Sequence, residues 1–404
     1  MFSKLKLVAV MGDWRPISVR FSYPKRRLMA MRTRGTLRLA TRGSTLARRQ
    51  ASLVQEALED RRYEVELVTV DTTGDQIKDE LIHRLGKTGA FVRELDERVL
   101  EGDLDGAIHS MKDMPTEQPT ELVTAGVPER GPPGDLLITP DGATLEELPE
   151  GATVGTSSLR RRAQLLSERP DLEVEPLRGN VDTRLEKLLA PALQTEHQER
   201  TEADKERKGN TGNENFEPEF DQTTDEWFDG LTELEKQALG REIETEYDAI
   251  VLAQAGLERS GLDHYVDAYE LPTSTFVPAP GQGALAVTAI DGETARDIQS
   301  AIDHPRSRVE TTVERTVLAE LGGGCIAPVG IYAVVQGEHV HATVTVFDQD
   351  GEQSVTGSRD LPIERHAEAA REFARDLADR GAADLIEQAR MESDADDEET
   401  QEGA

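Results

Sequence analysis

Two successive runs of alternating strand and helix signals constrain this chain more than any other feature. Short apolar strands separated by amphipathic helices bury their apolar faces best in parallel sheets covered by helices. The first run opens with LRLAT (37–41), a short buried strand. Ser44 is a favourable N-cap for the helical spacing of Leu46, Ala47, Ala51, Val54 and Leu58 that follows. VELVTVDT (65–72) alternates as a strand, FVRELDERVLEG (91–102) has helical spacing, and DGAIHS (105–110) is a strand again. The second run starts at ATVGTSS (152–158), enters a helix at SLRRRAQLL, and continues through LEVEPLRG, NVDTRLEKLL and DAIVLAQAGL (248–257).

PERGPPGDLL (128–137) has the Pro and Gly content of a crossing between the two units, and LPTSTFVPAPGQGALAV (271–287) reads as the return. Two crossings make the space between the units a hinged binding cleft. The last part differs in kind. GIYAVVQ, HVHATVTVFD and SVTGS read as antiparallel strands with turns at Gly337 and Gly351, followed by an amphipathic helix within 364–390. The expected fold is therefore two α/β domains of the periplasmic-binding-protein type around a cleft, plus a small C-terminal α+β domain. Residues 35–130 and 278–303 are assigned to the first domain, 131–277 to the second and 304–390 to the third. Residues 190–246 interrupt the second with a polar, charge-dense segment, expected to be a surface insertion that is disordered up to a short helix around 231–245. Residues 391–404 read as a solvated acidic tail.

Lys and Arg number 46 against 79 Asp and Glu, a formal net charge of −33, which argues against bulk nucleic-acid binding. Only ten of the 46 basic residues are Lys. Such an acidic, Lys-poor surface points to a salt-rich cytoplasm, where ions screen the self-repulsion that opposes compaction. One cysteine cannot form an intramolecular disulfide, so the cytoplasm is the expected location. No apolar run approaches the roughly 20 residues needed to cross a bilayer, and the eight His and one Cys lack metal-ligand spacing. Residues 1–34 carry nine Lys/Arg and the single acid Asp13. This reversal reads as a basic extension from a start assigned too early, with Met31 or Met29 the expected start.

Chemistry enters through the arginines. Arg160, Arg161 and Arg162 follow Ser157 and Ser158 at a helix start, while Arg178 and Arg184 flank Gly179 and Asn180. Helix N-termini and guanidinium forks together suit carboxylates or phosphates. A solvated basic face is the ordinary reading of an Arg triplet, but placement at strand-to-helix turns favours a site. Arg42 and Ser44 hold the equivalent turn in the first domain, and Thr72, Thr73 and Asp75 end the next strand. Ligands of open α/β sheets collect at such carboxyl ends. HSMKDMP (109–115) sets Lys112 beside Asp113 after a strand, a candidate acid–base pair if an anion site lies near. LGGGCIAP (321–328) puts Cys325 on a glycine loop where a thiol is accessible for a covalent bond.

ATRGSTLA, TTGD, GAFVREL, HSMKDMP, VGTSSLRRR, LRGNVDTRL, AQAGLERSGL, PAPGQGAL and LGGGCIAPVG occur in this order. Together they resemble the hydroxymethylbilane synthases (porphobilinogen deaminases) over about residues 36–390, apart from 190–246. The resemblance implies a dipyrromethane cofactor joined by a thioether to Cys325. Four porphobilinogens are added to this primer in turn, after which hydrolysis releases hydroxymethylbilane. It implies that Arg160, Arg161, Arg178 and Arg184 bind the cofactor's carboxylates together with Ser110, Lys112, Thr156 and Ser158. Arg42, Ser44, Asp75, Arg130 and Arg259 are implied for substrate, and Asp113 as the catalytic carboxylate. Porphobilinogen is the implied partner of a cytoplasmic monomer, with no metal, nucleic acid or membrane. Two departures stand out: Lys87-Thr88-Gly89 puts Thr88 at the usual lysine position of the mobile loop, and Pro132-Pro133-Gly134-Asp135 lacks an Arg often found before the Asp.

A binding protein with two lobes and two crossings would share this architecture, but needs neither Asp113 beside an anionic ligand nor a thiol on a glycine loop. An acidic scaffold acting through 190–246 and the tail would leave the motif-rich core unexplained. The charge balance predicts that melting temperature and activity rise with KCl into the molar range, where the Debye length falls to about 3 Å. Equal melting temperature in dilute and molar KCl would contradict this. Residues 1–30 are expected to be dispensable, and native N-terminal peptides beginning at Met1 would argue otherwise.

Overall fold

The computed structural model describes residues 33–70, 90–210, 217–323 and 327–402. The first domain begins with β1 (Gly35–Arg42), α1 (Thr45–Glu59), β2 (Tyr63–Val70), α2 (Ala90–Leu100), β3 (Gly106–Ser110) and β4 (Leu122–Gly126). The chain then crosses to build β5 (Asp135–Ile138), β6 (Thr153–Gly155), α3 (Leu159–Glu168), β7 (Glu173–Glu175) and α4 (Val181–Gly209). The same domain continues with α5 (Thr224–Gly230), α6 (Glu233–Leu239), β8 (Ala249–Ala253), α7 (Gln254–Ser260) and β9 (Ala268–Leu271). On its return the chain adds β10 (Leu285–Ile290) and α8 (Glu293–Ile302) to the first domain. Helix α9 (Pro305–Glu320) leads into β11 (Val329–Gln336), β12 (His339–Phe347), β13 (Ser354–Pro362), α10 (His366–Leu377) and α11 (Ala383–Glu402).

The two large sheets have the same plan, as expected for paired α/β domains. Their orders are β2-β1-β3-β10-β4 and β7-β6-β8-β5-β9, and the third sheet is β11-β12-β13. In the first, β1 runs parallel to β2 and β3, while β10 is antiparallel to β3 and β4. In the second, β6 runs parallel to β7 and β8, while β5 is antiparallel to β8 and β9. Each antiparallel strand is thus the one that enters directly from a crossing. Helices cover both faces of the second sheet, and β8 serves both cores by alternation. Ala249 and Val251 face a cluster with Leu137, Val154 and Phe276, while Ile250 and Leu252 face Leu136, Leu177, Leu185 and Leu188.

The segment 190–246 corrects the expectation of disorder. Helix α4 runs without interruption to Gly209, first burying Leu185 and Leu188 against the sheet and then extending beyond it. Trp227, Leu234 and Ala238 of α5 and α6 are buried, and the Arg200 guanidinium lies 4.3 Å from the Phe220 ring centroid and 5.2 Å from that of Trp227. Capping boxes at Thr223/Glu226 and Thr232/Glu235 start both short helices. A few aromatic and aliphatic contacts with strong caps order a segment whose mean composition looks unfoldable. The acidic C-terminal stretch is likewise helical through Glu402.

The crossings are bonded to each other and to the third domain. Gly131 donates its N–H to the Gly283 carbonyl at 3.0 Å. Gly283 has φ +84°, and a Cβ there would lie 2.5 Å from the Gly131 carbonyl oxygen, so only glycine fits this approach. Beside it the Arg130 guanidinium donates to both oxygens of Glu314 on α9 (2.8 and 3.1 Å). Glu314 also accepts from Gly281 N–H of the return crossing and Ala333 N–H of β11. Glu314→Ala leaves Arg130 buried without its counter-charge and should cost about 3–5 kcal/mol. A urea midpoint indistinguishable from wild type would contradict this account of the crossings.

Candidate active site

The site begins at the carboxyl end of β3. Ser110 pairs with Leu285 of β10, and the Met111 N–H bonds the Ala284 carbonyl at 3.0 Å. A single 3-10 turn, Met111–Asp113, closes with the Met114 N–H on the Met111 carbonyl at 3.2 Å. Met111 and Met114 are 2% and 4% exposed and anchor the turn from below, which leaves Lys112 and Asp113 on its exposed side. Pro115 follows and cannot donate the N–H that would continue the turn. Gly281 of the return crossing packs directly behind it: with φ +77°, a Cβ there would lie 2.9 Å from Met111 Cγ.

The facing wall belongs to the second domain. β6 leads through Thr156, Ser157 and Ser158 into α3, whose first-turn Arg161 N–H is accepted by the Ser158 side chain. Thr156 Oγ1 accepts the Ser158 N–H at 3.2 Å, and Ser157 Oγ donates to the Leu177 carbonyl at 2.7 Å. The loop 177–180 after β7 supplies Arg178, Gly179 and the N-cap Asn180 of α4. Arg184 in the first turn of α4 donates Nε to the Gly179 carbonyl at 2.8 Å. Two helix N-termini and their arginines therefore share one wall.

Arg160 and Arg161 depart from the simple picture of arginines open to a ligand. Their side chains are 5% and 7% exposed, and both are paired with Asp135 at 2.7 Å. Arg160 further donates to Gln164 Oε1 and the Val277 carbonyl, and Arg161 to the Val251 carbonyl. Two positive charges on one carboxylate still leave the wall with net positive charge. Burial, and then repulsion from Arg161, pushes the Arg184 guanidinium down to about 10. Across the cleft, Asp113 pulls the Lys112 pKa up. Crowding by protein, together with Arg161 and Arg184, outweighs that and leaves it below the ordinary lysine value. The turn of the first domain is thus within electrostatic reach of the arginine wall of the second.

The remaining expected residues divide by place. Ser44 caps α1 by accepting the Ala47 N–H at 3.2 Å, and Arg42 is half-buried at the end of β1. Arg130 and Arg259 sit at the crossings. Arg130 is held by Glu314 and the Gln282 carbonyl, and Arg259 donates to the Gly283 carbonyl at 2.6 Å. Arg162 points away from the wall, to the Val174 carbonyl and Asp350. Asp75, Lys87, Thr88 and Cys325 lie outside the described residues. Among the described residues no group of three or more His, Cys, Asp or Glu could hold a metal ion, and no helix is long and apolar enough to cross a membrane. Sequence reasoning missed Asp135, Gln282 and Glu314 as organisers of the site. The available signals were an acid heading the all-apolar Asp135–Ile138 strand and a Glu on the buried face of α9 between Val313 and Val317.

Comparison with known proteins assigns the family. Residues 37–196 and 232–297 match the porphobilinogen deaminase, dipyromethane cofactor binding domain, and 309–379 match the porphobilinogen deaminase C-terminal domain. The first match omits 197–231, the outer part of the inserted helices. A probable porphobilinogen deaminase of Halobacterium salinarum is 54% identical over 391 residues, covering 88% of this chain and 99% of that protein. One from Methanococcoides burtonii is 38% identical over 363 residues (89% and 99% covered). The porphobilinogen deaminase of Syntrophomonas wolfei is 36% identical over 355 residues (87% and 97% covered). With both family domains matched around a cleft of this geometry, the chain belongs to the porphobilinogen deaminases, the transferases also called hydroxymethylbilane synthases.

Proposed function

We propose that this chain joins four porphobilinogens into hydroxymethylbilane on a dipyrromethane primer held by a thioether at Cys325, with Asp113 as the catalytic carboxylate. The observation that carries the reading is the Lys112–Asp113 turn of one domain set against the arginine-lined helix N-termini of the other. The wall suits such a primer. Its pyrroles bear acetate and propionate groups, and the cleft offers Arg184, Lys112 and two helix N-termini in a protein otherwise strongly acidic. Among the described residues, Arg160 Nε is buried without a hydrogen-bond partner, a further donor that an anionic group can satisfy.

When bound, the primer would supply the free pyrrole carbon to which the first ring is joined, each later ring joining the one before it. The protein does the rest by charge and position. Arg178, Arg184, Arg42 and Lys112 balance the carboxylates that accumulate as the chain grows, with Ser110, Thr156 and Ser158 along the same walls and Ser44 after β1; the family resemblance adds Asp75 to the substrate-binding residues. Arg160 and Arg161 act in concert with Asp135, which fixes their forks in place before any ligand arrives. Arg130 and Arg259 contribute through the hinge that sets the cleft width. Asp113 opposes the positive charge that develops on the substrate pyrrole as its aminomethyl C–N bond breaks. The aminomethyl group is an ammonium at neutral pH, so this cleavage releases neutral ammonia with the bonding electron pair; the carboxylate then takes up the proton lost from the ring carbon that forms the new C–C bond and passes it to solvent. The reading includes a cytoplasmic monomer in a salt-rich cell, supported by the single cysteine and the acidic surface.

Cys325→Ala should fold and lack covalent dipyrromethane, with little product. Asp113→Asn keeps the thiol and the shape of an exposed side chain, so it should be primed yet slower by roughly 10²–10⁴ in turnover. Wild-type turnover from a primed, folded Asp113→Asn protein would remove Asp113 from the mechanism.

A further inference from the structure

Helix α9 carries several arginines, and most of them answer a nearby carboxylate. Arg306 pairs with Glu310 and Arg308 with Asp303. Arg315 does not: among the described residues it pairs with no carboxylate. Its guanidinium instead donates to the main-chain carbonyls of Met111 (3.4 Å), Met114 (3.2 Å) and Pro115 (2.5 Å). These three carbonyls bracket Lys112 and Asp113 on both sides. Burial alone pushes the Arg315 pKa down, the expected consequence of a desolvated charge satisfied by neutral dipoles.

The same helix fixes other parts of the site. The neighbouring Glu314 binds Arg130 and the Gly281 N–H, and Gly281 packs against Met111. Ten residues beyond Arg315, past the end of α9 and Gly322–Gly323, the sequence reaches Cys325. One element of the third domain therefore holds the turn that carries Lys112 and Asp113 and precedes Cys325 closely in sequence. A planar fork reaching three carbonyls fixes both the place and the tilt of the turn, which a lysine ammonium at the same position could not do.

We infer that Arg315 is a positioning residue, which holds the Met111–Asp113 turn against α9 and so fixes the place of Asp113. The inference rests on the functional reading above. Arg315 also lines a cavity of about 390 Å³ between α9 and the first domain, with Thr312, Thr316 and Arg371. A small cation can therefore reach the space that a truncated side chain vacates.

The test uses full-length Arg315→Ala and Arg315→Lys beside wild type, with priming checked by intact mass. Both variants should be primed. For Arg315→Ala kcat should fall about 10–100-fold with KM for porphobilinogen within about threefold, because displacement of the acid affects the transition state more than binding. Arg315→Lys should lie between. Millimolar guanidinium should restore part of the Arg315→Ala rate, and amide exchange should quicken in 111–114 alone. A primed Arg315→Ala with wild-type kcat would overturn the inference. So would a loss of kcat that guanidinium does not relieve and that accompanies faster exchange across the whole first domain. Wild-type protein forming no product would overturn the functional reading, and this inference with it, whereas normal wild-type turnover beside an equally fast Arg315→Ala overturns this inference alone.

Discussion

The carboxylate of Asp135 has no exposed side-chain surface, and it sits at the point where the chain first enters the second domain. An isolated charge in that position would be untenable, yet it binds Arg160 through one oxygen and Arg161 and Gln282 through the other. Burial pushes its pKa up, but the two guanidinium groups more than offset that and hold it well below the ordinary carboxylate range. Gln282 extends the network. Its side-chain amide also donates to the Pro133 and Gly134 carbonyls, and its main-chain carbonyl accepts from Arg130, whose fork lies on Glu314. Two buried ionic clusters, bridged by one glutamine, thus tie both crossings to the arginine helix on one side and to the third domain on the other. Glu314 shows what such burial demands: desolvation pushes its pKa up despite Arg130 beside it.

This arrangement explains how a strongly acidic protein presents a positive cleft. The first arginines of α3 are fixed by an internal counter-ion, so they need no reorganisation when an anionic chain arrives. One excess positive charge remains on the wall, joined by Arg184 and the N-termini of α3 and α4. The opposing turn is braced from three directions: Ala284 and Gly281 of the return crossing, the buried Met111 and Met114, and Arg315 of α9. The first and third domains thereby both contribute to the placement of Lys112 and Asp113, although only the first domain carries them.

Much of the fold was legible because strand–helix alternation admits few solutions. The Ser44 and Ser158 caps fell where a hydroxyl before a periodic apolar run predicts them. What was not legible depends on tertiary pairing. No local pattern says that β5 and β10 run against their neighbours, since that direction comes from the crossings. The helices of 190–246 were hidden because Trp227, Phe220 and Leu234 are sparse in a charged segment, and their value lies in being brought together. The arginines were visible as a cluster, but their division between cleft wall and crossings was not, because Asp135 and Glu314 lie 25 or more residues from Arg160 and Arg161 and from Arg130.

The central claim is that this cleft grows a pyrrole chain on a covalent primer at Cys325, and intact-protein mass spectrometry addresses it directly. Purified wild-type protein in molar KCl is predicted to carry one dipyrromethane adduct that maps to the peptide containing Cys325. Brief exposure to porphobilinogen should add further masses in steps of one deaminated ring, with the adduct retained after product is released. An unmodified chain that nevertheless converts porphobilinogen, or an adduct that never extends, would contradict the account.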